Sequence, residues 1–178
     1  MKRSVNYNNL IPKKYLDSQS KKDLANNCEN IISNIKLDVD IPNNTFHSLS
    51  KKFKLNFKLS DLIQFKKFKT VVIIGMGGSI LGADAIYNFF QHKLKKNFIF
   101  IDDLDENKIL NLKKDYNIKN ILFLIISKSG NTLETLVNFF SFNIIKKNSK
   151  NIILISEKKN TLLFSLSKKF NLFFIEHK

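Results

Sequence analysis

From residue 69 onward the chain alternates short apolar runs with longer stretches in which apolar positions recur every three or four residues. The apolar runs fall at 70–74, 97–101, 120–126, 151–155 and 172–175. Each is nearly continuous rather than alternating, which is the pattern of parallel strands covered on both faces. Helical spacing occupies 80–93, 106–116, 133–147 and 161–169. Strand and helix in regular alternation predict an α/β fold built on a doubly wound, mainly parallel five-stranded sheet. Ligands of such sheets bind beyond the carboxyl ends of the strands. Two turns rich in glycine and hydroxyl groups stand there: Gly75-Met-Gly-Gly-Ser-Ile-Leu-Gly82 after the first run and Ser127-Lys-Ser-Gly-Asn-Thr-Leu-Glu-Thr135 after the third.

The pattern before residue 69 is less regular. Residues 1–17 are polar, contain Pro12, and read as an extended arm. Ser18 or Ser20 can cap a helix running to about residue 36, with Leu24, Cys28, Ile31, Ile32 and Ile35 forming one apolar stripe and Cys28 expected to be buried. Residues 38–44, with Pro42 and two asparagines, read as a turn or linker. Over 46–68, Phe53, Phe57, Phe65 and Phe68 are interleaved with lysines, and a helix is expected over 60–67. Interleaved basic and aromatic residues can hold single-stranded nucleic acid; here the favoured reading is a segment docked on the following domain. The expected organisation is an arm with a helical extension over 1–68 and a ligand-binding domain over 69–178.

Charge changes this picture little. Thirty Lys+Arg against fifteen Asp+Glu give +15, yet the lysines come as scattered pairs near element ends and Arg3 is the one arginine. Arginine is the usual bidentate reader of phosphate and guanine, so neither nucleic acid nor membrane is expected as a partner. A single cysteine excludes an internal disulfide framework and a cysteine-based zinc site. No apolar run reaches membrane-spanning length, the basic start leads into no signal-peptide core, and a cytoplasmic location is expected.

The two turns carry the chemistry. In the first, the glycines let backbone approach a ligand, and Ser79 can cap the next helix or reach a hydroxyl. A dinucleotide fingerprint would need glycine where Ile80 stands, and no Gly-Lys-Ser/Thr follows for a Walker loop. Asp102 and Asp103 close the second run and read as a strand end and helix cap. In the second turn Ser127, Ser129 and Thr132 supply hydroxyls at the start of a helix, whose first amides lack intrahelical partners and favour an anion. Asn131 as N-cap and Glu134 three residues later would form a capping box, which leaves the other hydroxyls and Lys128 unexplained.

Together the two motifs, GMGGSILG and SKSGNTLET, resemble the sugar isomerase (SIS) domain, and within it the glucose-6-phosphate isomerase family, over roughly residues 69–178. The resemblance implies an SIS or flavodoxin-like fold and interconversion of aldose and ketose phosphates, glucose 6-phosphate and fructose 6-phosphate above all, through an enediol(ate). It implies that Ser127, Lys128 (mainly through backbone), Ser129 and Thr132 hold the phosphate, that Gly77, Gly78 and Ser79 line the sugar side, and that Glu134 lies in the active site. No metal or redox cofactor is implied, and a homodimer is expected of the whole protein. The family's base and ring-opening histidine lie in a second SIS domain, which this chain is expected to lack, so the chain alone is expected to be inactive. Glu176, His177, His47 and His92 are read as solvated or structural, not as that missing pair. The alternative reading is a non-catalytic SIS module that binds a sugar phosphate for regulation.

Overall fold

A computed structural model describes residues 17–42 and 44–177. The chain forms two compact units, one ending at Lys54 and the other beginning at Leu55. In the first, helix α1 (Ser18–Asp38) is capped by Asp17, whose carboxylate accepts from the Ser20 amide, and not by Ser18 or Ser20. Leu24, Ile31 and Ile32 of its apolar stripe are exposed, Ile35 is half-buried, and Cys28, expected to be buried, is exposed. The other described residues of this unit form a 3-10 turn at Thr45–Leu49 and a short loop. Asp40 ties that loop together, accepting from Ser50 Oγ at 2.6 Å and Lys52 Nζ at 2.8 Å. The arm expected over 1–17 lies outside the described residues apart from Asp17.

The second unit is the α/β body. Strands β1 (Thr70–Gly75), β2 (Asn97–Ile101), β3 (Ile121–Ile126), β4 (Ile152–Ser156) and β5 (Phe173–Glu176) form one sheet in the order β2-β1-β3-β4-β5. All four pairings are parallel. This is the flavodoxin-like doubly wound order, and the expected fold class holds. Helices α2 (Leu81–Phe90), α3 (Glu106–Asp115), α4 (Leu133–Ser141) and α5 (Leu162–Phe170) connect the strands.

Alternate residues of each strand serve opposite faces of the sheet. On one face Val72, Ile74, Phe123, Ile125 and Leu154 pack with residues of α3, α4 and α5, among them Leu112, Phe139 and Leu163. On the other, Val71, Ile73, Leu122 and Ile153 pack with Phe65, Phe68 and Ile80. The helix expected over 60–67 is a 3-10 segment, Leu59–Phe65. Leu59, Leu62, Phe65 and Phe68 recur every three residues, the repeat of a 3-10 helix and not of an α-helix.

Helix α4 also ends earlier than the pattern over 133–147 predicts. It stops at Ser141, and Asn143 adopts a positive φ of 51°. Phe142, Ile144 and Ile145 continue the apolar pattern because they fold back as loop residues into the same core. No helix among the described residues is long and apolar enough to cross a membrane.

Candidate functional site: two loops at the switch point of the sheet

In the β2-β1-β3 order, the connections leaving β1 and β3 depart to opposite sides, which opens a crevice at their carboxyl ends. Register places Gly75 of β1 beside Ile126 of β3, so both motif turns rise from this point. A Cβ on Gly75 would meet the Ile126 carbonyl oxygen at 3.0 Å and the Ser79 Cβ at 3.3 Å, which is why glycine stands here.

The first turn is a 3-10 bend over Gly77–Ser79, with Gly77 at φ +53° and exposed Gly77 and Gly78 at its crest. Ser79 does not cap α2: Ile80 is the N-cap residue and no side chain bonds the helix start. Ile80 is 1% exposed and plugs the turn into the core beneath it. The position where a dinucleotide loop needs glycine thus holds an anchor, and backbone is left uncovered above it.

The second turn is a knot of hydroxyls. Ser127 Oγ and Thr132 Oγ1 lie 2.8 Å apart, and Ser129 Oγ lies 3.4 Å from each. The Gly130 amide donates to Ser127 Oγ at 3.1 Å and the Asn131 amide to Ser129 Oγ at 3.3 Å. Ser127 is 2% exposed and braces the loop from below, whereas Ser129 and Lys128 are exposed and Thr132 half-buried. The Lys128 carbonyl accepts from the Glu157 amide at 3.1 Å, which fastens the loop to the segment after β4.

The expected capping box is absent. Thr132 is the N-cap residue of α4 and makes no side-chain cap bond, because its hydroxyl is turned toward Ser127. Asn131 serves a different helix: its Oδ1 accepts from the Leu162 amide at the start of α5, at 2.8 Å. The Gly130 carbonyl accepts from Leu163 at 3.2 Å, and Thr161 Oγ1 from Phe164 at 3.3 Å. Every early amide of α5 is therefore taken. By contrast, the amides of Leu133, Glu134 and Thr135 have no acceptor among the described residues, and the first bond of α4 runs from Leu136 to the Thr132 carbonyl. Two neighbouring helix starts thus differ, one closed by the loop and one open to an anion. Glu134, half-buried in the first turn of α4, makes no hydrogen bond to a described residue and points to no capping role.

The participation of the segment after β4 escaped the sequence reading, although a signal was present. Ser127-Lys-Ser-Gly-Asn131-Thr132 is echoed by Ser156-Glu-Lys-Lys-Asn160-Thr161, each leading from a strand into a helix. In the second copy the threonine caps its own helix; in the first it does not. The Thr132 hydroxyl goes instead to Ser127, and Gly130, at φ +67°, lies so close to the second copy that a Cβ there would meet Thr161 Oγ1 at 2.6 Å and the buried Ser156 Oγ at 3.3 Å. Replacing Asn131 by alanine frees the Leu162 amide and is expected to cost about 1 kcal/mol of stability, read from denaturant unfolding.

Glu157 closes the rim. Its carboxyl is held below the ordinary glutamate value, chiefly by the hydrogen bond from Lys159 at 2.6 Å and also by the charges of Lys159, Lys128 and His177. A carboxyl so lowered stabilises the fold at pH above its unfolded value, and that stability is lost as the pH falls through the lowered folded value. The melting-temperature gap between the wild-type chain and Glu157→Gln should therefore be present near neutrality and close in acid.

Comparison with known proteins gives the family. The phosphoglucose isomerase family model matches residues 20–169. The glucose-6-phosphate isomerase of Borreliella afzelii is 39% identical over 124 residues, covering 63% of this chain and 23% of that protein. That of Methanocaldococcus jannaschii is 49% identical over 80 residues, covering 45% and 19%. The crystal structure of a glucose-6-phosphate isomerase from Chlamydia trachomatis superposes with a TM-score of 0.55 at 25% identity, covering 65% of this chain and 23% of that one. The chain thus spans about a fifth of the length of the curated relatives it matches. On the extent of the family match, the chain belongs to the phosphoglucose isomerase family.

Proposed function

We propose that this chain is the phosphate-holding part of an aldose–ketose isomerase that interconverts glucose 6-phosphate and fructose 6-phosphate. The observation that carries the reading is the open start of α4, with three unpartnered amides and the Ser129 and Thr132 hydroxyls beside them. Amides and hydroxyls bind a phosphate without a permanent ion pair, so a substrate can be held and then released. Lys128, exposed beside them, adds positive potential, while Ser127 acts from below by fixing Thr132 and Gly130. The sugar would extend from the phosphate toward the Gly77-Gly78-Ser79 turn, where uncovered backbone admits close approach.

Aldose–ketose interconversion requires a group that moves a proton between C1 and C2 and another that opens the ring. Glu134 is proposed as the catalytic-site residue of this chain on family resemblance, where its side chain, bonded to no described residue, can accept a bond from a sugar hydroxyl. The proton-transferring base and the ring-opening acid are assigned to sequence beyond these residues, in a second domain of the same kind as 69–178. Residues 1–68 are proposed as an amino-terminal extension whose last part, from Leu55, is built into the α/β body, and the whole protein is proposed to be a cytoplasmic homodimer.

Steady-state kinetics on a protein of the relatives' full length that carries this chain test the reading. Conversion of fructose 6-phosphate to glucose 6-phosphate is expected. Binding of the phosphosugar with no turnover would instead make the module a sensor, and indifference to hexose phosphates would refute the assignment.

A further inference from the structure

At the edge of the sheet opposite the phosphate loop, four neighbouring strands each begin just after a lysine. Lys69 precedes Val71 of β1 by two residues, and Lys96, Lys119 and Lys150 each stand next to an asparagine that opens or adjoins β2, β3 and β4. Parallel pairing sets these strand starts side by side. Lys96 is used within the fold, its ammonium donating to the carbonyls of Lys66 and Phe68. The others converge differently: Lys67, Lys69, Lys119 and Lys150 line one cleft of about 580 Å³. Phe68, Thr70, Asn120 and Asn151 complete its wall, and no carboxylate lines it. None of the four lysines forms an ion pair among the described residues.

The backbone carrying these lysines is fixed. Asn97 donates its amide to the Lys69 carbonyl at 2.9 Å, Phe123 donates to the Asn151 carbonyl at 2.8 Å, and Asn151 Nδ2 donates to the Ile121 carbonyl at 3.0 Å. The four lysines are exposed, with the Lys67 ammonium over the Phe68 ring at 5.2 Å, and a cleft lined by lysines without a carboxylate carries positive potential. The cleft's volume falls in the range of small-molecule sites.

We infer that this cleft is a second anion site, separate from the phosphate loop, for a small ligand carrying several linked phosphates. A single phosphate would leave most of the ammonium groups uncompensated. A nucleic acid strand would need exposed rings for stacking, and Phe68, the one aromatic residue of the wall, is 7% exposed.

The test is titration of the full chain with inorganic tripolyphosphate by calorimetry. Saturable binding is expected that weakens with added salt and persists in excess fructose 6-phosphate. The triple replacement of Lys69, Lys119 and Lys150 by glutamine should weaken it about tenfold, and each single replacement about twofold. Replacing Lys21, Lys22 and Lys36 on α1 by glutamine should leave it unchanged. Equal weakening by the α1 set would show general attraction to a cationic chain and overturn the inference. So would displacement by fructose 6-phosphate, which would make the phosphate loop the site, or an absence of saturable binding.

Discussion

Replacing Gly130 by alanine is expected to lower the melting temperature by roughly 4–20 °C and to abolish phosphosugar binding. Two independent penalties meet at this residue. Its φ of +67° lies in the left-handed region, where a side chain costs about 1–2 kcal/mol. A Cβ here would also stand 2.6 Å from Thr161 Oγ1 and 2.7 Å from Thr161 Cβ, and such overpacking costs about 1–3 kcal/mol. The sum is a large share of the ~5–15 kcal/mol that stabilises a domain. Relief by shifting the loop would part the Ser127, Ser129 and Thr132 hydroxyls, so binding fails even where the fold survives. The glycines of the other turn separate the two penalties. Gly77 has a positive φ and open space around it, so alanine there should cost only about 1 kcal/mol. Gly78 has neither constraint, and alanine should leave the melting temperature nearly unchanged. Thermal melts of the three variants, ordered Gly130, Gly77, Gly78 in severity, check the account.

The second large effect falls chiefly on binding. Thr132→Val combined with Ser129→Ala should raise the KM for fructose 6-phosphate in the full-length protein by roughly 100-fold or more, at about 1.5–3 kcal/mol per hydrogen bond to a charged group. Stability should fall by only about 1–2 kcal/mol, the worth of the bonds from Thr132 to Ser127 and from the Asn131 amide to Ser129 that the variant removes. Thr132 makes no side-chain cap bond to α4, so valine removes no support from the helix start. A fall in turnover with unchanged KM would instead place these hydroxyls at the reacting carbons.

The fold was legible because buried parallel strands are continuous apolar runs, and five such runs cannot be read another way at this spacing. Strand starts moved by about one residue at β3 and β4, where Asn120 closes a 3-10 turn and the Asn151 side chain donates to the Ile121 carbonyl. Two errors had specific causes. Apolar periodicity carried α4 past Ser141 because Phe142, Ile144 and Ile145 are buried from a loop, and Asn143, a residue that tolerates left-handed backbone, was the overlooked stop. Asn131 looked like the cap of α4 because local spacing cannot show a helix 31 residues further along whose amide it accepts. The site's position was legible from the two turns. Its openness was not, because that depends on which of two helix starts the loop closes.

Amide chemical shifts on titration with fructose 6-phosphate read the open helix start itself. The amides of Ser129, Leu133, Glu134 and Thr135 are expected to move together along one saturation curve, while those of Leu162, Leu163 and Phe164 stay where they are. Movement concentrated at Leu162–Phe164, or no movement at the start of α4, would contradict it.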